Sequence, residues 1–110
     1  MKFNNVVISS SAYHLPEHIM TSEEIEDRLA PVYQRLKLPG GRIELMTGIT
    51  ERRFWPPGTM PSDLSTQAAR NLFEKNMVKP EQIDLLIHAS VCRDYLEPST
   101  SSIVHHNLGL

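Results

Sequence analysis

One stretch near the end of the chain constrains the fold more than any other. From Ile83 to Val91 the sequence IDLLIHASV is almost continuously apolar, which is typical of a strand covered on both faces. It follows a segment with helical periodicity, and a strand that follows a helix indicates a βαβ unit on a parallel sheet. The sequence therefore predicts an α/β fold, with a central sheet and packed helices.

The first third of the chain carries signals for one more strand and for a capped helix. The β-branched run Val6–Ile8 predicts a first strand. Thr21 and Glu24 have the spacing of a capping box at a helix start. The apolar stripe of this helix consists of Ile25, Leu29, Val32 and Leu36. Pro31 interrupts the pattern, so we expect either a kink or two helices, with Pro31 in the first turn of the second.

The middle of the chain predicts a turn and a second helical region. Gly48 lies in a Thr-Gly-Ile sequence that favours a turn, because glycine adopts conformations that other residues resist. Ser62 or Asp63 is the expected cap of a helix over 64–77. Its predicted buried face consists of Ala68, Ala69, Leu72, Phe73 and Met77.

Composition and charge exclude several classes of protein. A chain of 110 residues is long enough for one domain. Its net charge of −2, without a basic run, argues against a nucleic-acid or anionic-membrane partner. The single Cys92 excludes a disulfide framework and fits a reducing cytoplasm. No apolar stretch approaches the roughly 20 residues of a membrane span, and no signal peptide is evident. We therefore expect a cytoplasmic protein.

The loop between the last predicted strand and the last predicted helix contains the main candidate residue. Loops at the C-terminal ends of strands often carry the chemistry of α/β proteins. Glu97 lies in this loop, immediately before Pro98. Apolar surroundings would raise the pKa of its carboxyl toward the range of a general base near neutral pH. Alternatively, Glu97 is an exposed glutamate near a helix N-terminus, where the helix dipole favours negative charge.

The other reactive side chains fit structural roles better than catalytic ones. On a strand, His88 and Cys92 are roughly 13 Å apart, so we expect Cys92 to be a buried or half-buried residue without a partner base. His105 and His106 point about 100° apart on a helix and cannot clamp one metal ion. We therefore expect no metal site. Residues 99–102 are expected to satisfy backbone donors at the start of the last helix.

Charged residues beside aromatic ones suggest packing before ligand binding. Arg52, Arg53 and Trp55 lie close together in the sequence and would suit an acyl or nucleotide contact. A packed tryptophan with arginines extended along it is the simpler interpretation. Arg93 and Asp94 are neighbours in the Glu97 loop and are expected to be structural or solvated.

Five stretches, taken in order, resemble the N-terminal part of a β-ketoacyl-ACP synthase III-type enzyme of the thiolase superfamily. They are Val6–Ile8 with Leu15 and Pro16, Thr47–Arg52, Gln67–Ala69, Pro80–Ile87, and Pro98 and Ser99 followed by Leu108 and Gly109. The resemblance covers nearly the whole chain. It implies that residues 1–110 are the N-terminal segment of a thiolase-like domain, ending before the catalytic cysteine.

Within this family, Ser90 and Val91 together with Arg93–Thr100 most resemble the OleA type. OleA-type enzymes join two fatty acyl-CoA molecules by a non-decarboxylative Claisen condensation, the first step of long-chain olefin biosynthesis. Ordinary synthase III enzymes tend to carry an apolar residue before the corresponding proline. In the OleA type this residue is a glutamate that reaches into the active site of the partner subunit. The resemblance implies a homodimer in which Glu97 abstracts the α-proton of the second acyl-CoA.

The resemblance also defines what the chain is not expected to contain. It implies acyl-CoA or acyl carrier protein thioesters as substrates and no cofactor. The nucleophilic cysteine, the histidine and the asparagine of the family lie beyond Leu110, and Cys92 does not occupy the cysteine position. Of the catalytic set only Glu97 is present, so the isolated chain is expected to be inactive. Arg42 and Met46 stand near the positions of the family's coenzyme A-binding tryptophan and arginine, so no coenzyme A residue is assigned.

Three alternative functions remain. The nearest is an ordinary decarboxylative β-ketoacyl-ACP synthase III of fatty acid biosynthesis. The second is a truncated, non-catalytic module that uses the same strand and helix for dimerisation. The third is a thioester hydrolase with Cys92 as nucleophile.

Overall fold

The computed structural model describes residues 4–75 and 78–110. The chain divides into two compact units, one formed by Leu15–Pro57 and the other by Met1–His14 with Gly58–Leu110. The elements are β1 (His18–Thr21), α1 (Ser22–Arg28), α2 (Ala30–Leu36), α3 (Arg42–Thr47), β2 (Glu51–Phe54), α4 (Pro61–Glu74), a 3₁₀ turn (Pro80–Gln82) and α5 (Thr100–Leu108). The prediction that residues 1–110 belong to a larger thiolase-like domain stays a prediction.

The capping box and the proline break organise the unit of residues 15–57 as the sequence predicts. The Thr21 N–H donates to Glu24 Oε2 at 2.6 Å, and the Glu24 N–H donates to Thr21 Oγ1 at 3.1 Å. The bond from the Thr21 N–H, together with one from the Thr21 hydroxyl to the same oxygen at 3.0 Å, holds the pKa of the Glu24 carboxyl below its usual range. Pro31 lies in the first turn of α2, directly after the break between α1 and α2. Both predictions are therefore confirmed, the second in its two-helix form.

The sheet of this unit is an antiparallel pair of strands that the sequence does not predict. β1 pairs with β2 so that His18 faces Phe54 and Thr21 faces Glu51. Met20, on β1, is buried at 7% exposure. The expected turn at Gly48 is confirmed, because Gly48 ends α3 with φ +68°. The helix α3 itself lies in a segment whose sequence signals are mixed.

The apolar stripe predicted to be buried is largely exposed, and a polar face of α1 is buried in its place. Leu29, Val32 and Leu36 are exposed, so the prediction is wrong for them. Ser22 and Glu26 are the buried residues of α1. Residues four apart lie on the same face of a helix. Ser22 donates to the Ile49 carbonyl before β2, and Glu26 accepts from the Ile43 N–H of α3. These hydrogen bonds turn the polar face of α1 toward the interior of the unit.

In the other unit, α4 and α5 pack against each other. Val104 of α5 is buried at 2% exposure, and Thr66 of α4 is buried at 3%. Asn107 Nδ2 donates to Thr66 Oγ1 at 3.4 Å. The predicted last helix is confirmed, with Ser99 as its N-cap.

The helix α4 differs from its prediction at both ends. Its N-cap is Met60, followed by Pro61. The predicted cap at Ser62 or Asp63 is therefore wrong, because proline at the first helical position moves the start upstream. The four described residues of the predicted buried face, all half-buried, are Ala68, Ala69, Leu72 and Phe73. The fifth, Met77, lies outside the described residues.

The two predicted strands are segments without regular secondary structure. Within the described ranges, residues 6–8 and 83–91 form no strand, and the observed sheet is antiparallel. These described residues therefore form no βαβ unit and no parallel sheet among themselves. A strand needs a hydrogen-bonded neighbour, and no described segment pairs with either of these two.

Candidate functional site

The loop that carries Glu97 is held at both ends by hydrogen bonds. At its start, Asp94 Oδ1 accepts from the Ser62 N–H at 3.0 Å. The Asp94 N–H in turn donates to Thr100 Oγ1 at 3.2 Å. At its end, Ser99 caps α5 by accepting from the Ser102 N–H at 3.3 Å. The structural role expected for Asp94 is thus confirmed, and so is the capping role expected of residues 99–102 for Ser99.

Glu97 lies at the exposed tip of this loop. Its neighbours Tyr95 and Leu96 are exposed as well, at 53% and 76%. The peptide bond between Glu97 and Pro98 is cis. The tip therefore presents an exposed carboxylate beside exposed apolar side chains. The structure does not surround Glu97 with apolar groups of its own unit, and its catalytic role stays a prediction.

A shallow depression of about 230 Å³ lies beside the loop. Its lining residues include His88, Cys92 and Thr100. His88 Nε2 is within 3.1 Å of Ser65 Oγ, so its hydrogen bond connects the extended segment to α4. Cys92 is exposed; the expectation that it is buried is therefore wrong, because the segment before it has no covering neighbour.

The two adjacent histidines of α5 do not form part of a metal site among the described residues. His105 and His106 are both exposed on α5. In the ranges 4–75 and 78–110 no cluster of metal-binding side chains is found. Across the same residues no helix has the length and apolar character needed to cross a membrane.

The two arginines near Trp55 are engaged by protein groups of their own unit. Arg52 Nη1 donates to Ser22 Oγ at 3.0 Å. Arg53 Nη1 donates to the Pro16 carbonyl at 2.9 Å. Trp55 itself is half-buried. This arrangement agrees with the simpler, structural interpretation of the sequence.

A buried carboxylate that sequence reasoning missed organises the same unit. Glu26 is 8% exposed and accepts from the N–H groups of Gly41 and Ile43, each at 2.6 Å, and from the Tyr33 hydroxyl at 3.1 Å. The Ile43 N–H is the main reason that the pKa of Glu26 is held below its usual range. Burial and the neighbouring Glu26 raise the pKa of Tyr33. The sequence gives only a glutamate inside a helix, since its two backbone partners are 15 and 17 residues away.

Comparison with known proteins finds relatives that match the whole chain. Over all 110 residues the chain is 46% identical to the acyl-CoA:acyl-CoA alkyltransferase of Xanthomonas campestris pv. campestris and 38% identical to that of Shewanella oneidensis, and it spans 32% of each. It is 36% identical over 102 residues to the β-ketoacyl-[acyl-carrier-protein] synthase III of Caldanaerobacter subterraneus, which is 93% of this chain and 29% of that protein. No protein-family model matches the chain.

Solved structures give the same result for the fold. The TM-score is 0.87 with a glutamate-to-aspartate variant of Xanthomonas campestris OleA, at 45% identity, and the match covers 99% of this chain and 33% of that one. With the 3-oxoacyl-(acyl carrier protein) synthase III of Xanthomonas oryzae pv. oryzae, the TM-score is 0.88 at 45% identity, covering 99% of this chain and 32% of that one.

In sequence and in fold, the chain is therefore similar over 93% or more of its length to proteins named acyl-CoA:acyl-CoA alkyltransferase and to synthase III proteins. The resemblance to the OleA type is confirmed, as is the predicted thiolase-like α/β fold. The chain spans about a third of the length of these relatives.

Proposed function

We propose that this chain forms part of an acyltransferase that joins two fatty acyl-CoA thioesters by non-decarboxylative Claisen condensation, in the synthesis of fatty acid-derived olefins. The observation that carries the proposal is the similarity over all 110 residues to proteins named acyl-CoA:acyl-CoA alkyltransferase. The presentation of Glu97 at the tip of a loop held at both ends supports it.

The chemistry assigns Glu97 the task that decarboxylation performs in ordinary synthase III enzymes. A non-decarboxylative reaction forms its carbanion by losing a proton from the α-carbon, and this step needs a base. The carboxylate of Glu97 takes that proton from the second acyl-CoA. The carbanion attacks the thioester carbonyl of the first acyl group, held on a cysteine outside these 110 residues. A C–C bond forms, and the cysteine thiolate leaves.

The proposal includes a homodimer, because Glu97 needs drier surroundings than its own unit provides. A carboxylate in water is a weak base, and burial among apolar groups strengthens it. Tyr95 and Leu96, which precede Glu97, are exposed and could pack against a partner subunit. Aromatic residues are common in interface cores. We place Glu97 in the active site of the partner subunit.

The proposal also states where and with what the enzyme works. The substrates are acyl-CoA or acyl carrier protein thioesters, whose own thioester bond supplies the activation, so no cofactor takes part. The expected compartment is the cytoplasm, where the lone Cys92 stays reduced.

The test uses a chimera in which residues 1–110 replace the matching third of the Xanthomonas campestris relative. Glu97→Gln removes the base and should lower condensation of two acyl-CoA molecules by about 10²- to 10⁴-fold. Release of the first coenzyme A, which reports acylation of the enzyme, should persist. The matched control is Glu81→Gln, since Glu81 is an exposed glutamate of the 3₁₀ turn. Unchanged condensation by the Glu97→Gln chimera would refute the proposal.

A decarboxylative synthase III is the second candidate, favoured by the similarity to β-ketoacyl-[acyl-carrier-protein] synthase III proteins. The same chimera is offered either malonyl-ACP with one acyl-CoA or two acyl-CoA molecules. Product only from malonyl-ACP, with Glu97→Gln retaining activity, identifies the decarboxylative enzyme. A non-catalytic module would leave the chimera without product from either substrate pair.

A further inference from the structure

The loop tip that presents Glu97 is connected to the N-termini of two helices through a single residue, Asp94. Its carboxylate lies at the start of α4, where Oδ1 accepts from the Ser62 N–H at 3.0 Å. Ser62 is 3% exposed. It follows Pro61, which has no N–H of its own, so the Ser62 N–H is the first backbone donor of the helix. A negative charge here is also favoured by the helix dipole.

The backbone of the same residue is bonded to the second helix. The Asp94 N–H donates to Thr100 Oγ1 at 3.2 Å. Thr100 is the first residue of α5 and is 6% exposed. Its hydroxyl is therefore held by the packed interior of the unit. Asp94 thus links the starts of α4 and α5, and the loop between Asp94 and Thr100 has both ends fixed.

Glu97 lies midway between these two anchors. Its side chain is exposed, so its location depends on the backbone of the loop more than on contacts of its own carboxylate. We propose that Asp94 is a positioning residue for Glu97: by joining Ser62 and Thr100 it holds the loop tip where the general base must lie. The inference rests on the proposed function of Glu97.

The expected effect is on the condensation step and not on acylation. A displacement of about 1 Å in a reacting group can cost about 10²-fold in rate. In the chimera, Asp94→Ala should lower kcat for condensation by about 10- to 100-fold, while KM and the initial release of coenzyme A stay within about twofold. Asp94→Asn keeps an acceptor oxygen and should restore most of the rate. A general loss of folding would lower both steps together.

The matched control is Asp63→Ala. Asp63 also carries a negative charge in the first turn of α4 and is exposed, so its replacement alters the charge at the same helix end without touching the loop. This variant should condense at the unmodified rate. Equal losses in Asp63→Ala and Asp94→Ala would overturn the proposal, because charge at the helix would then explain the effect.

A second readout uses the 110-residue chain itself. Amide hydrogen exchange should become faster at Ser62, in residues 95–97 and at Ser99 of Asp94→Ala, and remain unchanged there in Asp63→Ala. The positioning role is refuted if exchange and condensation are both unaffected in Asp94→Ala while Glu97→Gln abolishes condensation. If Glu97→Gln has no effect on condensation but Asp94→Ala still speeds exchange, the proposed function fails and the anchoring of the loop stands as a structural fact.

Discussion

At the scale of single residues, Glu26 and Glu97 show how environment divides one side-chain type into different roles. Glu26 accepts from backbone N–H groups at the start of α3 and from a tyrosine hydroxyl, which favours its ionised form. Glu97 is exposed at a loop tip. The sequence singles out Glu97 through its neighbour Pro98 and the family resemblance. It gives no signal for Glu26, because the groups that bind its carboxylate are brought to it only by folding.

The lowered pKa of Glu26 makes the stability of its unit dependent on pH. A carboxyl whose folded-state pKa lies below the unfolded value stabilises the fold above the unfolded pKa, and this contribution disappears as pH falls through the folded pKa. Glu26→Gln should therefore lower the thermal midpoint most clearly at pH 6–7, and the difference from the unmodified chain should shrink below about pH 4.5. Circular dichroism melts across this range measure it.

Glu23→Gln provides the comparison for that experiment, since Glu23 is an exposed glutamate in the first turn of the same helix. Its melting difference should be small at every pH. A difference between Glu26→Gln and the unmodified chain that stays constant from pH 7 to pH 3 would contradict the role assigned to the Glu26 carboxylate.

At the scale of elements, the sequence predicts what is local and misses what is distant. The capping box at Thr21 involves residues three apart, and Pro31 acts on its own helix, so both are visible in the sequence. The antiparallel strand pair brings His18–Thr21 beside Glu51–Phe54, about 30 residues further along the chain. Neither short strand has an alternating apolar pattern. The apolar segments at 6–8 and 83–91 have the composition of strands, yet composition does not supply the neighbour that a ladder needs.

The capping box should be measurable as a local contribution to stability. Thr21→Ala removes the side-chain acceptor of the Glu24 N–H and should cost about 1 kcal/mol in the free energy of unfolding. Thr21→Ser keeps the hydroxyl and should cost much less. Urea unfolding followed by circular dichroism compares the midpoints at a constant slope. Equal losses in the two variants would mean that the methyl group, and not the cap, stabilises α1.

At the scale of the whole molecule, the chain exposes more apolar surface in one segment than a monomeric domain usually does. Leu85, Ile87 and Val91 are 74%, 79% and 104% exposed, whereas Leu86 and His88, on the alternate side, are half-buried. The segment therefore buries one face against its own unit and leaves an apolar face open. Such a face is typical of an interaction surface, and the chain spans only about a third of the length of its relatives.

This open face leads to a prediction about association of the 110-residue chain. An exposed, unpaired, apolar segment favours contact with another copy, so the unmodified chain should self-associate at micromolar to millimolar concentration. The double substitution Leu85→Lys with Ile87→Lys places charge on the open face and should weaken association at least tenfold without changing the circular dichroism spectrum. Sedimentation velocity over a concentration series measures it. Leu86→Ala, on the covered face, should instead destabilise the fold by about 1–2 kcal/mol and leave association unchanged. If the lysine variant sediments like the unmodified chain, residues 85–91 are not the associating surface, since charge on an apolar contact must weaken it.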